Sequence, residues 1–285
     1  MRDFKKYLTS TLMVILVGAL SVSCAQDQEE ADELSAAPSS SDNQPTLDDF
    51  LATLPQLNGY YIYQGDMLRT DEEIAHDLAL QNQSNEAGVP NSELKIHTVG
   101  GVPQFYEDLS SRVLSYAIDK ASFDSAPDGA YEKVRSEIAT AFTDWEGVCP
   151  ECQIHFVNTG VTQPQEGDQW FIVKYESEAN FVAAAFFPNY HESRRYLTIS
   201  SQYFTSSFDP VGVIRHETGH ILGYRHEHID GISGCRKEGN DWLPISVYDP
   251  NSVMHYFCGG GGSLALQISE IDIQSHRLVY LNQSN

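Results

Sequence analysis

The stretch HETGHILGYRHEH, between His216 and His228, concentrates histidines and glutamates in one short segment. His216 and His220 are four residues apart, so on a helix their imidazoles lie on one face and can reach a single cation about 2.0 to 2.1 Å from each nitrogen. Glu217 is about 100° further round the helix, where a carboxylate can accept a proton from water on that cation without taking a histidine's place. The spacing therefore predicts a metal site in which Glu217 is the general base.

A third ligand is expected from the turn that follows. Gly223 tolerates a positive φ, so the helix can end there and the chain can turn back beneath it, which brings His226 to the same metal. Three neutral imidazoles leave one position of a tetrahedral Zn²⁺ for water, which is the geometry of a catalytic zinc site. Zinc lowers the pKa of that water to about 7 and polarises the carbonyl under attack. No comparable spacing marks the remaining histidines considered, and we expect no ligands among His155, His191, His228 and His276.

Two motifs resemble those of a known family. HETGHILGYRH resembles the extended zinc motif of the metzincin metalloendopeptidases, and the residues from Ser252 to Tyr256, SVMHY, resemble their Met-turn in its astacin-like form. The resemblance implies that Met254 lies beneath the metal as an apolar floor. It also implies that the Tyr256 phenol stabilises the oxyanion of the tetrahedral intermediate. Glu227 follows the third ligand as in astacins, where this position is structural.

Two further stretches are similar to metzincin segments. AAAFFPNYHESRRYLTIS is similar to the edge-strand region of matrixins, and such an edge would bind an extended peptide as one more strand; a plain sheet edge with a loop is the alternative. The residues from Tyr63 to Met67, YQGDM, are similar to the F-x-G-D segment of astacin prodomains. That similarity implies that Asp66 fills the open zinc position until residues before about Tyr106 are removed, although an Asp after Gly is also ordinary turn chemistry.

The N-terminus predicts export. Residues 1–24 contain a basic start and an apolar run too short to span a membrane comfortably, which is typical of a signal peptide. The run ends in a sequence that resembles a bacterial lipoprotein box with Cys24 as the lipidated residue. Ser21 departs from the Leu usual in that box, and cleavage after Ala25 is the alternative. We expect a bacterial outer-membrane or cell-surface lipoprotein attached through Cys24, and otherwise a secreted protein.

The cysteines indicate disulfides. Five cysteines less Cys24 leave four in an exported chain. We expect the local pairs Cys149 with Cys152 and Cys235 with Cys258. A redox or metal-binding C-x-x-C is the alternative at the first pair, but no second C-x-x-C exists to complete a four-thiolate zinc site.

The chain divides into four regions by composition. We expect a signal peptide at 1–24, an acidic, Ser-rich disordered tether at 25–49, a prosegment with its connector at 50–105, and a catalytic domain at 106–285. Within the last, strand-like runs are SRVLSYAID, QIHFVNTG, QWFIVKY, NFVAAAFF and RRYLTIS, and helix-like runs are YEKVRSEIATAFTDWEGV, a helix capped by Asp209, and a C-terminal helix capped by Ser269 and Asp272.

This order predicts an α/β (α+β) fold with a mostly consecutive sheet. The family resemblance implies more, namely a metzincin-type zincin catalytic domain with a mixed, twisted sheet, an active-site helix, a Met-turn and a C-terminal helix.

Composition limits the partners. The chain of 285 residues is 41% apolar and 11% aromatic, enough for a sizeable core. A formal net charge of -23 argues against nucleic acid as a partner, because phosphate recognition needs clustered Lys and Arg. We expect a monomeric zinc endopeptidase acting on proteins or peptides. The alternatives are a non-catalytic surface binding protein or adhesin on the same scaffold, and an amide or ester hydrolase of small molecules.

Overall fold

The computed structural model describes residues 46–57, 59–83, 94–160, 169–229, 231–239 and 241–281, with the side chains of residues 77 and 79–83 left aside. The predicted signal peptide with Cys24, and the tether up to residue 45, lie outside the described residues. Residues 45–285 form one compact unit. Within the described ranges, no helix combines the length and apolar character that crossing a bilayer requires.

The fold is a mixture of helices and several small sheets, in agreement with the predicted α+β class. The helices are α1 (Leu47–Leu51), α2 (Asp71–Gln83), α3 (Ala130–Val148), α4 (Pro210–Ile221) and α5 (Glu270–Leu281). The strands are β1 (Gln56–Leu57), β2 (Tyr60–Tyr63), β3 (Met67–Arg69), β4 (Lys95–Val99), β5 (Val102–Pro103), β6 (Val113–Ile118), β7 (His155–Asn158), β8 (Gln169–Glu176), β9 (Ala183–Ala184), β10 (Tyr196–Ser200), β11 (Tyr224–Arg225) and β12 (Trp242–Pro244).

The largest sheet has five strands in the order β7-β6-β8-β10-β9. β6 is parallel to β7 and β8, and β8 is parallel to β10, whereas β9 is antiparallel to β10. Four of the five predicted strands are confirmed. The fifth prediction, NFVAAAFF, was too long: only Ala183 and Ala184 form a strand, because the chain pairs with β10 for two residues at the edge of the sheet. Consecutive strands are neighbours at both edges of the sheet but not in its middle.

Helices α3 and α4 pack against each other, and α4 contains His216, Glu217 and His220. The predicted apolar face of α3 is buried, at Val134, Ile138, Ala141, Phe142 and Trp145. Trp145 Nε1 donates to the Arg215 carbonyl at 2.9 Å, which joins the two helices. At the start of α4, the Asp209 carboxylate accepts from the Gly212 amide at 2.9 Å and Pro210 occupies the first turn, as predicted.

A second sheet surrounds the predicted connector. β4 is its middle strand, antiparallel to β11 on one side and to β12 on the other, with β5 paired to β4. Lys95, Ile96, His97 and Thr98 are all buried. Sequence patterns did not predict these strands, because polar and apolar residues are buried alike on β4. Removing everything before Tyr106 would take the middle strand out of this sheet.

The predicted prosegment forms a small antiparallel sheet, β1-β2-β3, flanked by α1 and α2. Helix α1 begins at Leu47, inside the range predicted as disordered tether. Thr46 explains the difference: it caps the helix reciprocally with Asp49, a signal at the very end of an acidic run. Both predicted disulfides, Cys149–Cys152 and Cys235–Cys258, are present.

Candidate metal centre

Helix α4 places two of the predicted ligands side by side. His216 and His220 lie on one face of the helix, both buried, with ring centroids 5.0 Å apart. The helix ends at Ile221, and Gly223 then adopts a φ of +102°, which turns the chain back. A Cβ at Gly223 would lie 2.2 Å from the Gln104 carbonyl oxygen, so a larger residue would also clash with the segment that follows β5.

The turn delivers the third histidine. After Gly223 the chain pairs with β4 as β11, and His226 follows directly. The His220 Nε2 and His226 Nε2 atoms are 3.2 Å apart, and the rings of His216 and His226 are 5.2 Å apart between centroids. Residues 216, 220 and 226 therefore converge as the spacing predicted.

Each of the three imidazoles has its other nitrogen fixed by an acceptor. His216 Nδ1 donates to the Val253 carbonyl at 2.8 Å, and His220 Nδ1 donates to the Tyr224 carbonyl at 2.7 Å. His226 Nδ1 donates to Glu238 Oε1 at 2.5 Å. Because these acceptors hold the proton on Nδ1, the Nε2 lone pairs point at a common centre, as in histidines that bind metals.

Asp66 reaches that centre from the N-terminal segment, by which we mean residues 46–57 and 59–83. Its Oδ2 atom lies 3.3 Å from His216 Nε2, 3.6 Å from His220 Nε2 and 3.0 Å from His226 Nε2. Four ligands placed 2.0–2.1 Å from a tetrahedral zinc ion are about 3.3 Å from one another. The three distances from Asp66 Oδ2 and the 3.2 Å between His220 Nε2 and His226 Nε2 are close to this value, and these four residues form one buried group that could hold a metal ion.

The ionisable side chains of this group shift one another's pKa values. The Asp66 pKa is well below its usual value, since the neighbouring histidines outweigh the effect of burial. Burial lowers the pKa of His220 to about 4. Burial acts in the same direction on His226, but Asp66 and Glu238 raise its pKa to about 10. The donor set of three imidazoles and a carboxylate suits zinc.

Glu217 and Tyr256 flank the ligands. Glu217 is buried, and within the described residues no hydrogen-bond partner reaches its Oε2 atom. Burial, followed by the charge of Asp66, raises the Glu217 pKa well above its usual value. The Tyr256 hydroxyl donates to Asp66 Oδ2, and its ring stacks on His216 with centroids 5.5 Å apart. Both predicted catalytic side chains therefore border the same centre.

Gly65 makes the approach of Asp66 possible. Its φ is +105°, and a Cβ there would lie 2.9 Å from the Tyr256 hydroxyl oxygen. The Gln64 carbonyl is also a 3.1 Å neighbour of that hydroxyl. The turn at Gln64 and Gly65 thus presses the backbone against Tyr256 and directs Asp66 towards the histidines.

Met254 packs beneath the helix. It is fully buried, and a Cβ at Gly219 would lie only 2.2 Å from its sulfur atom. The Met254 carbonyl accepts from the Glu227 amide at 2.9 Å. The segment before Met254 is tied to α5, since Ser252 Oγ donates to Asp272 Oδ1 at 2.6 Å. Met254 therefore supports the turn of α4 that lies between the first two histidines.

Glu238 was missed by the sequence reasoning. It is buried beside three basic side chains: Oε1 is the partner of His226 and lies 3.5 Å from His228 Nε2, and Oε2 lies 3.5 Å from Arg225 Nη2. His226, together with these charges, lowers the Glu238 pKa to about 2 despite burial. A lone glutamate in an irregular loop has no spacing signal, and only the fold brings it to His226.

The histidines predicted as non-ligands have different surroundings. His228 belongs with His226 and Glu238 to a second buried group, and it also lies near His255 and Cys258, whose sulfur is in a disulfide. His155, His191 and His276 belong to no such group among the described residues.

Glu227 has structural contacts, in line with the role expected from its position. Its Oε1 accepts from the Asp249 amide at 2.7 Å, and its backbone carbonyl accepts from Lys95 Nζ at 3.2 Å. Burial raises the Glu227 pKa to about 8. These contacts join β4 to the residue that follows the third ligand.

The edge of the main sheet is next to the centre and is paired with the N-terminal segment. Met67 forms a parallel bridge with Ala185, and the Ala185 amide donates to the Asp66 carbonyl at 3.3 Å. A cavity of about 490 Å³ adjoins Glu217 and His216, and its apolar lining includes Phe181, Val182, Phe208, Val213, Phe257 and Leu266. The arrangement can hold an extended chain along the edge and an apolar side chain beside Glu217.

No protein-family model matches this sequence. A comparison with curated proteins likewise finds no match.

Proposed function

We propose that this chain is a zinc-dependent endopeptidase of the metzincin type, formed as a latent precursor in which Asp66 occupies the substrate's place. The observation that carries the proposal is the convergence of three imidazoles and the Asp66 carboxylate on one buried centre, beside Glu217, whose Oε2 atom has no hydrogen-bond partner among the described residues. His216, His220 and His226 would hold the zinc ion. The ion would supply a Lewis acid that polarises a peptide carbonyl and acidifies water.

Glu217 is the general base in this proposal. Its raised pKa suits a group that takes a proton from the attacking water and passes it to the leaving amine. Glu217 is buried beside an apolar cavity, where few solvent dipoles screen charge. Its electrostatic interaction with the attacking water would therefore be stronger there than in bulk solvent. A binding protein with an unused metal gives no reason to bury a carboxylate oxygen without a partner, since such burial costs free energy.

Tyr256 is the proposed oxyanion donor. Its hydroxyl already donates to a carboxylate oxygen of Asp66, which lies where negative charge would develop on a substrate carbonyl. Burial and the charge of Asp66 raise its pKa well above the usual value, so it remains a donor at neutral pH. Asp66 thus engages the ligands and the proposed oxyanion donor together, which accounts for latency.

The proposed substrate is an extended protein or peptide segment. The hydrogen bond from the Ala185 amide to the Asp66 carbonyl supports this proposal, because a substrate backbone could accept from the same amide. We also propose that the protein acts outside the cytoplasm, attached through Cys24, where the two disulfides are stable.

The test uses the zinc-loaded full-length protein with Asp66→Ala, with and without Glu217→Gln. We expect the Asp66→Ala protein to cleave a fluorescent protein substrate. The Asp66→Ala/Glu217→Gln protein should bind the same amount of zinc but cleave the substrate at least about 100-fold more slowly. Equal cleavage by the two zinc-loaded proteins would refute the role of Glu217. Absence of cleavage by both would refute the peptidase.

A further inference from the structure

Tyr190 and Arg194 contact the N-terminal segment two residues beyond Asp66. The Tyr190 hydroxyl donates to the Leu68 carbonyl at 2.6 Å, and Arg194 Nη2 donates to the same oxygen at 2.8 Å. The Asp66 carbonyl, two residues earlier, accepts from the Ala185 amide at 3.3 Å. The carbonyls of residues 66 and 68 therefore both meet donors from the range predicted as the catalytic domain, 106–285.

This row of contacts depends on the backbone and not on the side chains of the bound segment. In an extended chain, carbonyls two residues apart point to the same side. Ala185 supplies a backbone donor at the sheet edge, and Tyr190 and Arg194 continue the row with side-chain donors. Any extended peptide in this groove would present a carbonyl at the same place.

Arg194 also binds an acid. Its Nη1 and Nη2 atoms donate to the two Glu73 oxygens at 3.1 and 3.0 Å. The guanidinium lies between two aromatic rings, 4.4 Å from the centroid of Tyr60 and 4.1 Å from that of Tyr190. Of these partners, only Tyr190 lies in the range predicted as the catalytic domain, 106–285. Departure of the N-terminal segment would therefore leave a guanidinium held over Tyr190 without its carboxylate partner Glu73.

Space for a ligand adjoins this arginine. A cavity of about 510 Å³ is lined by Arg194, Lys174 and Asp119 as its charged residues, and by uncharged side chains of which Tyr60 and Leu68 belong to the N-terminal segment. Once Glu73 is displaced from Arg194, two positive charges against Asp119 favour an acidic occupant. A planar guanidinium is also suited to bidentate binding of a carboxylate.

We propose that Tyr190 and Arg194 form a substrate subsite that binds a backbone carbonyl two residues from the metal centre and prefers an acidic side chain close by. The N-terminal segment occupies this subsite in the latent protein, through Leu68 and Glu73. The inference rests on the proposed peptidase function and adds a specificity to it. The competing interpretation is that Arg194 serves only to anchor the N-terminal segment.

The test compares matched peptides in the zinc-loaded full-length Asp66→Ala protein. The peptides share one sequence, with a single Glu or Gln placed two to six residues from the scissile bond on either side. We expect kcat/KM to favour Glu over Gln about tenfold at one position on one side only. The ratio is taken within one protein, so it does not depend on the fraction of molecules in which the N-terminal segment is displaced.

Three substitutions in that protein decide the role of Arg194. We expect Arg194→Gln to bring the Glu-to-Gln ratio to about 1, and Tyr190→Phe to lower kcat/KM for both peptides about threefold or more while keeping the ratio. Arg135→Gln, on the exposed side of α3, should change neither. A ratio of 1 at every position, or a ratio that survives Arg194→Gln, would overturn the subsite. If Arg194→Gln raises kcat/KM for both peptides and leaves the Glu-to-Gln ratio unchanged, Arg194 serves only to anchor the N-terminal segment.

A measurement of peptide binding tests the subsite independently of the proposed peptidase activity. The Asp66→Ala/Glu217→Gln protein is titrated with the same peptides carrying a fluorophore, and Kd replaces kcat/KM. Tighter binding of the Glu peptide that Arg194→Gln abolishes would sustain the subsite even if no peptide is ever cleaved. Equal Kd values for the Glu and Gln peptides would overturn it.

Discussion

Asp66 and His226 are separated by 160 positions in the chain, yet Asp66 Oδ2 lies 3.0 Å from His226 Nε2. The contact joins the N-terminal segment to the last of three histidines that face one centre. Because the same carboxylate oxygen also accepts from Tyr256, a single side chain engages both the proposed zinc ligands and the proposed oxyanion donor. Latency and catalysis are thus expected to compete for one position.

The first prediction concerns this carboxylate. Asp66→Ala in the full-length protein should raise peptidase activity at least about tenfold, because we expect a ligand of this kind to contribute about 1.4 kcal/mol or more to closing the site, and each 1.4 kcal/mol is a factor of ten. Initial rates are measured on freshly purified, uncleaved protein. Asp71→Ala, at the exposed start of α2, is the control and should not change the rate. Equal rates in the wild-type and Asp66→Ala proteins would refute latency through Asp66.

The second prediction concerns Glu238, which holds the Nδ1 side of His226. Glu238→Gln keeps the size of the side chain but removes the charge that orients and polarises the imidazole. Loss of such a partner typically weakens metal binding by about 10- to 100-fold, and we expect a change of that size in a competitive zinc titration. The exposed Glu178→Gln should bind zinc as the wild type does. Unchanged zinc affinity in Glu238→Gln would show that Glu238 does not support the ligand.

The third prediction compares two helical glycines. At Gly219 a Cβ would lie 2.2 Å from the Met254 sulfur, whereas at Gly147, on the exposed side of α3, no atom lies within 4 Å. Gly219→Ala should lower the free energy of unfolding by about 1–3 kcal/mol through overpacking. Gly147→Ala should raise it by about 0.5–1 kcal/mol through helix propensity. Urea denaturation measures both, and a stabilised Gly219→Ala protein would contradict the packing of Met254 against α4.

Local signals predicted the parts of the fold that local forces determine. The Asp209 cap with Pro210 located the start of α4, and the reciprocal bonds of Ser269 and Asp272 located that of α5. The spacing of His216, His220 and His226 predicted three side chains at one centre because a helix and one glycine turn suffice to bring them together. In these cases the determining contacts span only a few residues.

Features built from distant contacts escaped prediction. β4 is buried on both sides and carries Lys95 and His97, so no alternation of polar and apolar residues marks it. β11 and β12 have two and three residues, too few for a pattern. Glu238 meets His226 only because its loop folds back, and nothing in the spacing indicates that approach.

The fourth prediction concerns pH. Burial, with the nearby charges of Arg112 and Arg277, lowers the pKa of His276 from 6.5 to about 3. The Nδ1 atom of the neutral ring is hydrogen-bonded to the Tyr224 hydroxyl at 2.9 Å. Because the folded pKa is below the unfolded one, this stabilisation is complete above pH 6.5 and is lost as the pH falls towards 3. Between pH 7 and pH 5 the loss should be about 2 kcal/mol.

The measurement for His276 is a difference between two proteins. Unfolding by urea at pH 7 and pH 5 is compared for the wild type and His276→Gln, and other titrating groups cancel to first order. We expect the fall in unfolding free energy over this range to be about 2 kcal/mol smaller in His276→Gln. An equal fall in both proteins would mean that His276 is not held neutral.

Metal content tests the central claim most directly. Elemental analysis of the purified full-length protein should give about one zinc ion per chain, and the His220→Ala protein, purified in the same way, should retain little or none. Asp66→Ala should still hold zinc, because three imidazoles remain. A wild-type protein without stoichiometric zinc after exposure to the ion, or a His220→Ala protein that binds it equally well, would contradict the account.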